Sequence, residues 1–131
     1  MPEYLVRVRA RFEAAHHLLA YRGTPEPNHG HSWTVEAVLR AEALDAEGMA
    51  FDFVVAKRAL EELAHTFDHG DVNAVPPFDR VTPSTENMAS WFHGRLSERL
   101  PVEIAEVTLW EGPDCAVTFR PRSLSGGGAG R

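Results

Sequence analysis

Cysteine is almost absent. The 131-residue chain has one, Cys115, which excludes an internal disulfide framework and any cysteine-based zinc finger. Lysine is as scarce, with Lys57 alone beside 12 arginines, a bias that hints at genome composition or a warm habitat and decides nothing about function. No apolar run approaches the roughly 18 residues that a membrane span needs. The start, Met1-Pro2-Glu3-Tyr4, lacks the basic-then-apolar pattern of a secretory signal, so a cytoplasmic location is expected. Positive charge is in deficit: the net charge of −6 argues against nucleic acid or a membrane surface as partner, although a small anion needs only a local basic pocket. What is present is ordinary for a globular protein, 44% hydrophobic and 24% charged residues, which rules out a disordered chain. The length fits one domain, expected over 1–122, with a flexible Gly/Ser-rich tail over 123–131.

Tyr4 to Ala15 alternates with period two: Tyr4, Val6, Val8, Ala10, Phe12 and Ala14 on one face, and Arg7, Arg9, Arg11 and Glu13 on the other. That is a half-buried strand. A second strand is expected from His29 to Ala43, with Trp33, Val35, Ala37, Leu39 and Ala41 inward. Asp52 is a candidate N-cap for a helix to about Phe67, whose stripe Phe53, Ala56, Leu60, Leu63 and Phe67 has helical spacing. A second helix is expected from Thr82 or Ser84 to Leu100, with Pro83 in its first turn and Met88, Trp91, Phe92 and Leu96 buried. Strands at Ile104–Trp110 and Ala116–Arg120 complete a ββααββ order. Strands grouped before and after the helices predict an α+β fold: a four-stranded antiparallel sheet with both helices on one face.

The seven histidines carry the functional argument. Parity puts His16 on the apolar face of the first strand, and His29 and His31 on that of the second. If the two strands pair antiparallel, the end of one lies beside the start of the other, and three imidazoles converge. Three neutral imidazoles with a fourth position open form the ligand set of a catalytic zinc site. Zinc is preferred over iron because no carboxylate completes a facial triad at this spacing; Glu13 is out of phase with His16. Asp68-His69 at the end of the first helix reads either as an imidazole oriented by its carboxylate or as a polar helix end. Glu111, at the end of an apolar strand, reads either as an acceptor for two N–H groups of a guanidine-like heterocycle edge or as a solvated strand end. Glu86-Asn87 complements the dipole at the start of the second helix.

Six motifs occur in an order that resembles one family: Phe12-Glu13-Ala14-Ala15-His16, His29-Gly30-His31, Gly48-Met49-Ala50-Phe51-Asp52-Phe53, Phe67-Asp68-His69, Pro83-Ser84-Thr85-Glu86-Asn87 and Trp110-Glu111-Gly112-Pro113. Over about residues 4 to 120 the chain resembles the 6-pyruvoyltetrahydropterin synthase and 6-carboxytetrahydropterin synthase family. The resemblance implies a tunnelling fold whose subunits join their sheets edge to edge, commonly into hexamers of two stacked trimers with active sites between subunits. It implies zinc on His16, His29 and His31, an acid/base pair in Asp68 and His69, and a pterin-anchoring Glu111, with Glu86 as a second substrate-binding candidate. The implied substrate is 7,8-dihydroneopterin triphosphate and the implied reaction a lyase step.

One departure bears on the reaction. The family usually carries a catalytic cysteine four residues before the first histidine of His-Gly-His; Pro25 stands there, and Glu26 follows it. A subgroup with glutamate at this spacing resembles enzymes that make 6-hydroxymethyl-dihydropterin for folate synthesis, which makes Glu26 the candidate base. Three readings stand beside one another: a zinc-dependent pterin synthase on the triphosphate, the glutamate-variant enzyme, and a zinc- and pterin-binding module without catalysis. A metal-binding β-barrel oxygenase is disfavoured by the two helices.

Overall fold

The computed structural model describes residues 2–122; the tail expected at 123–131 lies outside the described residues. The first two strands, β1 (Tyr4–His16) and β2 (His29–Ala41), pair antiparallel over their whole length, from Tyr4 opposite Ala41 to His16 opposite His29. The alternation of both sequences fixes this register, because a one-residue slip would turn every apolar side chain outward. The first helix, α1 (Phe53–His65), is capped by Asp52, whose carboxylate accepts the Val54 N–H. The second, α2 (Thr85–Arg99), is capped by the Ser84 hydroxyl, which accepts the Asn87 N–H. Strands β4 (Glu103–Glu111) and β5 (Cys115–Phe119) form a hairpin.

The expected α+β fold is present, with one correction. The sheet has five strands, in the order β3-β1-β2-β4-β5, because Gly70–Asp71 forms a two-residue β3 parallel to Ala14–Ala15. Two residues are too short for any periodic signal. Three local expectations also shift. Phe53 is 63% exposed, because the first helical position turns away from the sheet before the stripe Ala56, Leu60 and Leu63 reaches it. Phe67 is buried but lies in the turn beyond α1. Pro83 precedes the cap residue and is outside α2.

The inner sheet face and the two helices enclose one core. Phe12, Trp33, Phe67 and Phe92 lie at its centre, with the Phe12 and Trp33 rings stacked at 5.8 Å. Burying a tryptophan is favourable when its N–H is satisfied, and Trp33 Nε1 donates to the Ala14 carbonyl at 3.0 Å. This contact pins the end of the β1–β2 pair from which the histidines project. The outer face is charged; Arg7 and Arg9 of β1 both pair with Glu36 of β2.

Candidate active site

His16, His29 and His31 meet at the end of the β1–β2 pair. Their ring centroids are 4.7 Å apart for His16–His29 and His29–His31, and 5.7 Å for His16–His31. His16 is 2% exposed and packs edge-on against Trp33. Burial is the main reason its pKa falls below the usual histidine value, which favours the neutral imidazole a metal requires.

The hydrogen bonds settle which nitrogens face inward. His16 Nδ1 donates to the Pro83 carbonyl at 2.9 Å, and His29 Nδ1 to the Pro27 carbonyl at 3.0 Å. A carbonyl only accepts, so each Nδ1 carries the proton and each Nε2 presents a lone pair. Backbone carbonyls commonly orient metal-ligating histidines this way. His16 Nε2 and His31 Nε2 are buried without a hydrogen-bond partner. Buried polar atoms are rarely left unpaired, so the donor set fits a metal ion.

Sequence reasoning found no carboxylate for this cluster; the structure supplies one. Pairing of β2 with β4 sets Glu111 opposite Trp33, and it projects on the same face as the histidines. Its Oε2 lies 2.8 Å from His31 Nε2, 3.7 Å from His16 Nε2 and 3.9 Å from His29 Nε2. Four potential ligand atoms from His16, His29, His31 and Glu111 fall within 4.8 Å of one another. The signal was available: Val107, Leu109 and Glu111 share the inward parity of β4. With a carboxylate at hand, the composition of the cluster no longer separates zinc from iron.

A pocket of about 120 Å³ opens on the cluster, lined by His16, Leu18, Glu26, Ser84, Thr85, Glu86 and Glu111. Glu26 is held by a reciprocal pair of bonds: its Oε1 accepts the Leu18 N–H at 2.9 Å, and its own N–H donates to the Leu18 carbonyl at 3.1 Å. Its Oε1 is 3.8 Å from His29 Nδ1. The start of α2 forms the other wall. The Pro83 carbonyl orients His16, and the Thr85 hydroxyl donates to Glu111 Oε1 at 2.8 Å. Thr82 Oγ1 accepts the Leu19 N–H at 2.9 Å, tying the loop that carries Glu26 to the same segment. His17 braces that loop through Asn28 and Asn73.

Asp68 and His69 do not line this pocket. They lie beyond α1, outside its last turn, at the β1 edge. Asp68 Oδ1 accepts the Glu13 N–H at 2.8 Å, and the His69 N–H donates to the Glu13 carbonyl at 2.5 Å. His69 adopts a left-handed backbone, φ 59°, and its Nδ1 sits 3.1 Å from Asp68 Oδ2 with the imidazole 80% exposed. Cys115 is exposed on β5.

The Glu13 backbone N–H holds the Asp68 carboxyl below its usual pKa, with His69 adding to the effect. A depressed carboxyl contributes stability that is complete above its unfolded pKa, about 3.9, and is lost as pH falls through the lower folded value. Asp68→Asn is therefore expected to flatten the acid limb of the melting temperature below about pH 4. Parallel acid limbs for the two proteins would refute this.

Comparison with known proteins agrees with the fold. Residues 5–122 match the family model described as 6-pyruvoyl tetrahydropterin synthase. A dihydroneopterin monophosphate aldolase of Pyrococcus furiosus is 32% identical over 111 residues, covering 83% of this chain and 90% of that one. The 6-pyruvoyl tetrahydropterin synthase of Caenorhabditis elegans superposes with a TM-score of 0.81 at 22% identity, over 93% of this chain and 98% of its own. A Plasmodium vivax 6-pyruvoyltetrahydropterin synthase, with alanine in place of a catalytic glutamate, superposes with a TM-score of 0.76 at 20% identity, over 94% of this chain and 100% of its own. Among the described residues no helix is long and apolar enough to cross a membrane. The histidines project from a long β1–β2 pair, two helices cover the inner face, and the sequence match runs nearly end to end: the chain belongs to the 6-pyruvoyl tetrahydropterin synthase family.

Proposed function

We propose that this chain is a metal-dependent pterin lyase of the aldolase type. It cleaves the side-chain carbon–carbon bond of a phosphorylated 7,8-dihydroneopterin to give 6-hydroxymethyl-7,8-dihydropterin. The observation that carries this reading is the base available in the pocket: Glu26 lines it beside His16 and Glu111. Cys115 is exposed on β5, outside that lining. Likeness to the Pyrococcus furiosus aldolase supports the same reaction.

A metal ion held by His16, His29 and His31, zinc in this reading, would supply Lewis acidity toward the side-chain hydroxyls of the substrate. Glu26 removes the proton of the hydroxyl on the second side-chain carbon. The bond between the first and second carbons then breaks. Its electron pair is taken up by the conjugated imine of the dihydropterin ring. A proton returned to the first carbon completes the hydroxymethyl group, and the remaining two carbons leave as an aldehyde with the phosphate. Glu26 Oε1 is tied to the Leu18 N–H, so Oε2 is the oxygen offered as base. Glu111 and Glu86, on one wall of the pocket, are assigned to the pterin edge, where a carboxylate accepts two N–H groups.

Asp68 and His69 are assigned to proton transfer in a neighbouring subunit's pocket, because within one chain they stand apart from it. A closed homo-oligomer, a hexamer in this reading, would bring them there. Beyond Ala15, β3 covers only Ala14 on the outer edge of β1, and β5 forms the opposite edge of the sheet. Unpaired strand edges of this kind invite pairing with another copy.

The test is to incubate metal-loaded protein with dihydroneopterin monophosphate and, separately, the triphosphate, and to identify products by mass. A 6-hydroxymethyl product is expected. A 6-pyruvoyl or 6-carboxy product from the triphosphate would replace the aldolase with a synthase. Absence of turnover on both, with metal and pterin bound, would leave a binding module. A monomer by sedimentation at micromolar concentration would remove the shared site.

A further inference from the structure

We propose that Glu111 is a fourth metal-facing group: a carboxylate cap that closes the three-histidine cluster while no pterin is bound and leaves it when a pterin enters. The cap rests on geometry alone. Its release rests on the pterin reading above.

Glu111 has its two oxygens committed to different partners. Oε1 takes the Thr85 hydroxyl at 2.8 Å, which turns Oε2 toward the three Nε2 atoms at 2.8, 3.7 and 3.9 Å. Ligands about 2.0–2.2 Å from a tetrahedral zinc lie roughly 3.3–3.6 Å from each other. The three separations straddle that value and all four ligand atoms lie within 4.8 Å of one another, so modest side-chain shifts would bring Oε2 and the imidazoles into one coordination shell. An ordinary ion pair accounts for less of this. His31 Nε2 is 2.8 Å from Oε2 yet has no hydrogen-bond partner, and His16 Nε2, equally unpartnered, also faces the same oxygen.

The commitment has a consequence for ligand binding. A carboxylate that accepts two N–H groups from a pterin needs both oxygens. With Oε2 turned toward the three imidazoles, Glu111 presents the pterin only Oε1, which already accepts from Thr85. Metal and pterin are therefore linked through one side chain. Entry of the pterin frees a metal position, and by reciprocity the capped metal opposes pterin binding. Three imidazoles and a carboxylate also suit iron or manganese as well as zinc.

The experiment uses the full chain loaded with zinc or with cobalt(II). Zinc affinity is measured by competition with a chromophoric chelator for the parent protein, Glu111→Gln and Thr85→Val. Glu111→Gln is expected to lose at least about tenfold in zinc affinity, and Thr85→Val, which cuts the tether and keeps the charge, a smaller factor. The visible spectrum of the cobalt protein should change in Glu111→Gln, and pterin added to the parent should produce a change in the same direction. Equal zinc affinity and an unchanged cobalt spectrum in Glu111→Gln would overturn the cap. Should that variant not fold, unchanged affinity in Thr85→Val overturns it instead. A parent spectrum indifferent to bound pterin overturns the release. Missing aldolase turnover, with zinc affinity still lost in Glu111→Gln, would defeat the aldolase reading and leave the cap intact.

Discussion

Glu26→Gln is expected to lower turnover at least about a hundredfold, the usual scale for removing a general base, while metal content and pterin binding stay near the parent's. Glutamine keeps the shape of the side chain and an oxygen to accept the Leu18 N–H, the contact that Oε1 makes at 2.9 Å. The loop from Leu18 to Glu26 should therefore hold, and only the capacity to take a proton is lost. Cys115→Ser is the control. Cys115 is exposed and pairs with Glu111 only through the β4–β5 backbone ladder, so its thiol should be dispensable. Product formation under single-turnover conditions separates the chemical step from release. If Cys115→Ser abolished turnover and Glu26→Gln did not, a thiol would be the base and the glutamate reading would fall.

The second large effect concerns the metal. His31→Ala should remove most of the bound zinc, expected near one per subunit in the parent, and with it the activity. The chain should remain folded, because the core around Phe12, Trp33, Phe67 and Phe92 does not include His31, which is only partly buried. A domain of this size buries enough surface to fold without a metal staple. A chelator should accordingly abolish activity before it lowers the circular-dichroism signal. His16→Ala is a harsher variant, since it opens a cavity against Trp33 and strands the Pro83 carbonyl. Zinc retained at one per subunit after all three histidines are replaced would sink the assignment.

The alternation of β1 and β2 was legible because a strand with one wet face writes its orientation into every second residue. That parity alone places His16, His29 and His31 on one face. Glu111 carried the same parity on β4, but its meeting with the histidines depends on β2 pairing with β4, a contact across some 78 positions that no local pattern encodes. Strand β3 was illegible for a different reason: it owes its existence to the Ala14–Ala15 backbone beside it and has no sequence period of its own. Asp68 and His69 were readable as a pair by adjacency, while their separation from the pocket follows from their backbone bonds to Glu13. Phe53 misled because a helical stripe continues on paper past the point where the helix meets the sheet.

The histidines occupy the last residue of β1 and the first and third residues of β2, where a paired ribbon ordinarily frays. Here that end is clamped by the Trp33–Ala14 bond, the His16–Pro83 bond and the paired Leu18–Glu26 contacts. Those bonds join the ribbon's tip to the core on one side and to the start of α2 on the other. Local opening of the tip would have to break all of them, so its amides should exchange with solvent about as slowly as those of the strand centres. A bound ion would add a further cross-link between β1 and β2 at the same spot and slow that exchange again by mass action. The metal centre would then act as a rivet at the loop end of the hairpin, where His16 stands opposite His29, and its occupancy could be followed by hydrogen exchange at Ala15 and Gly30, without any substrate.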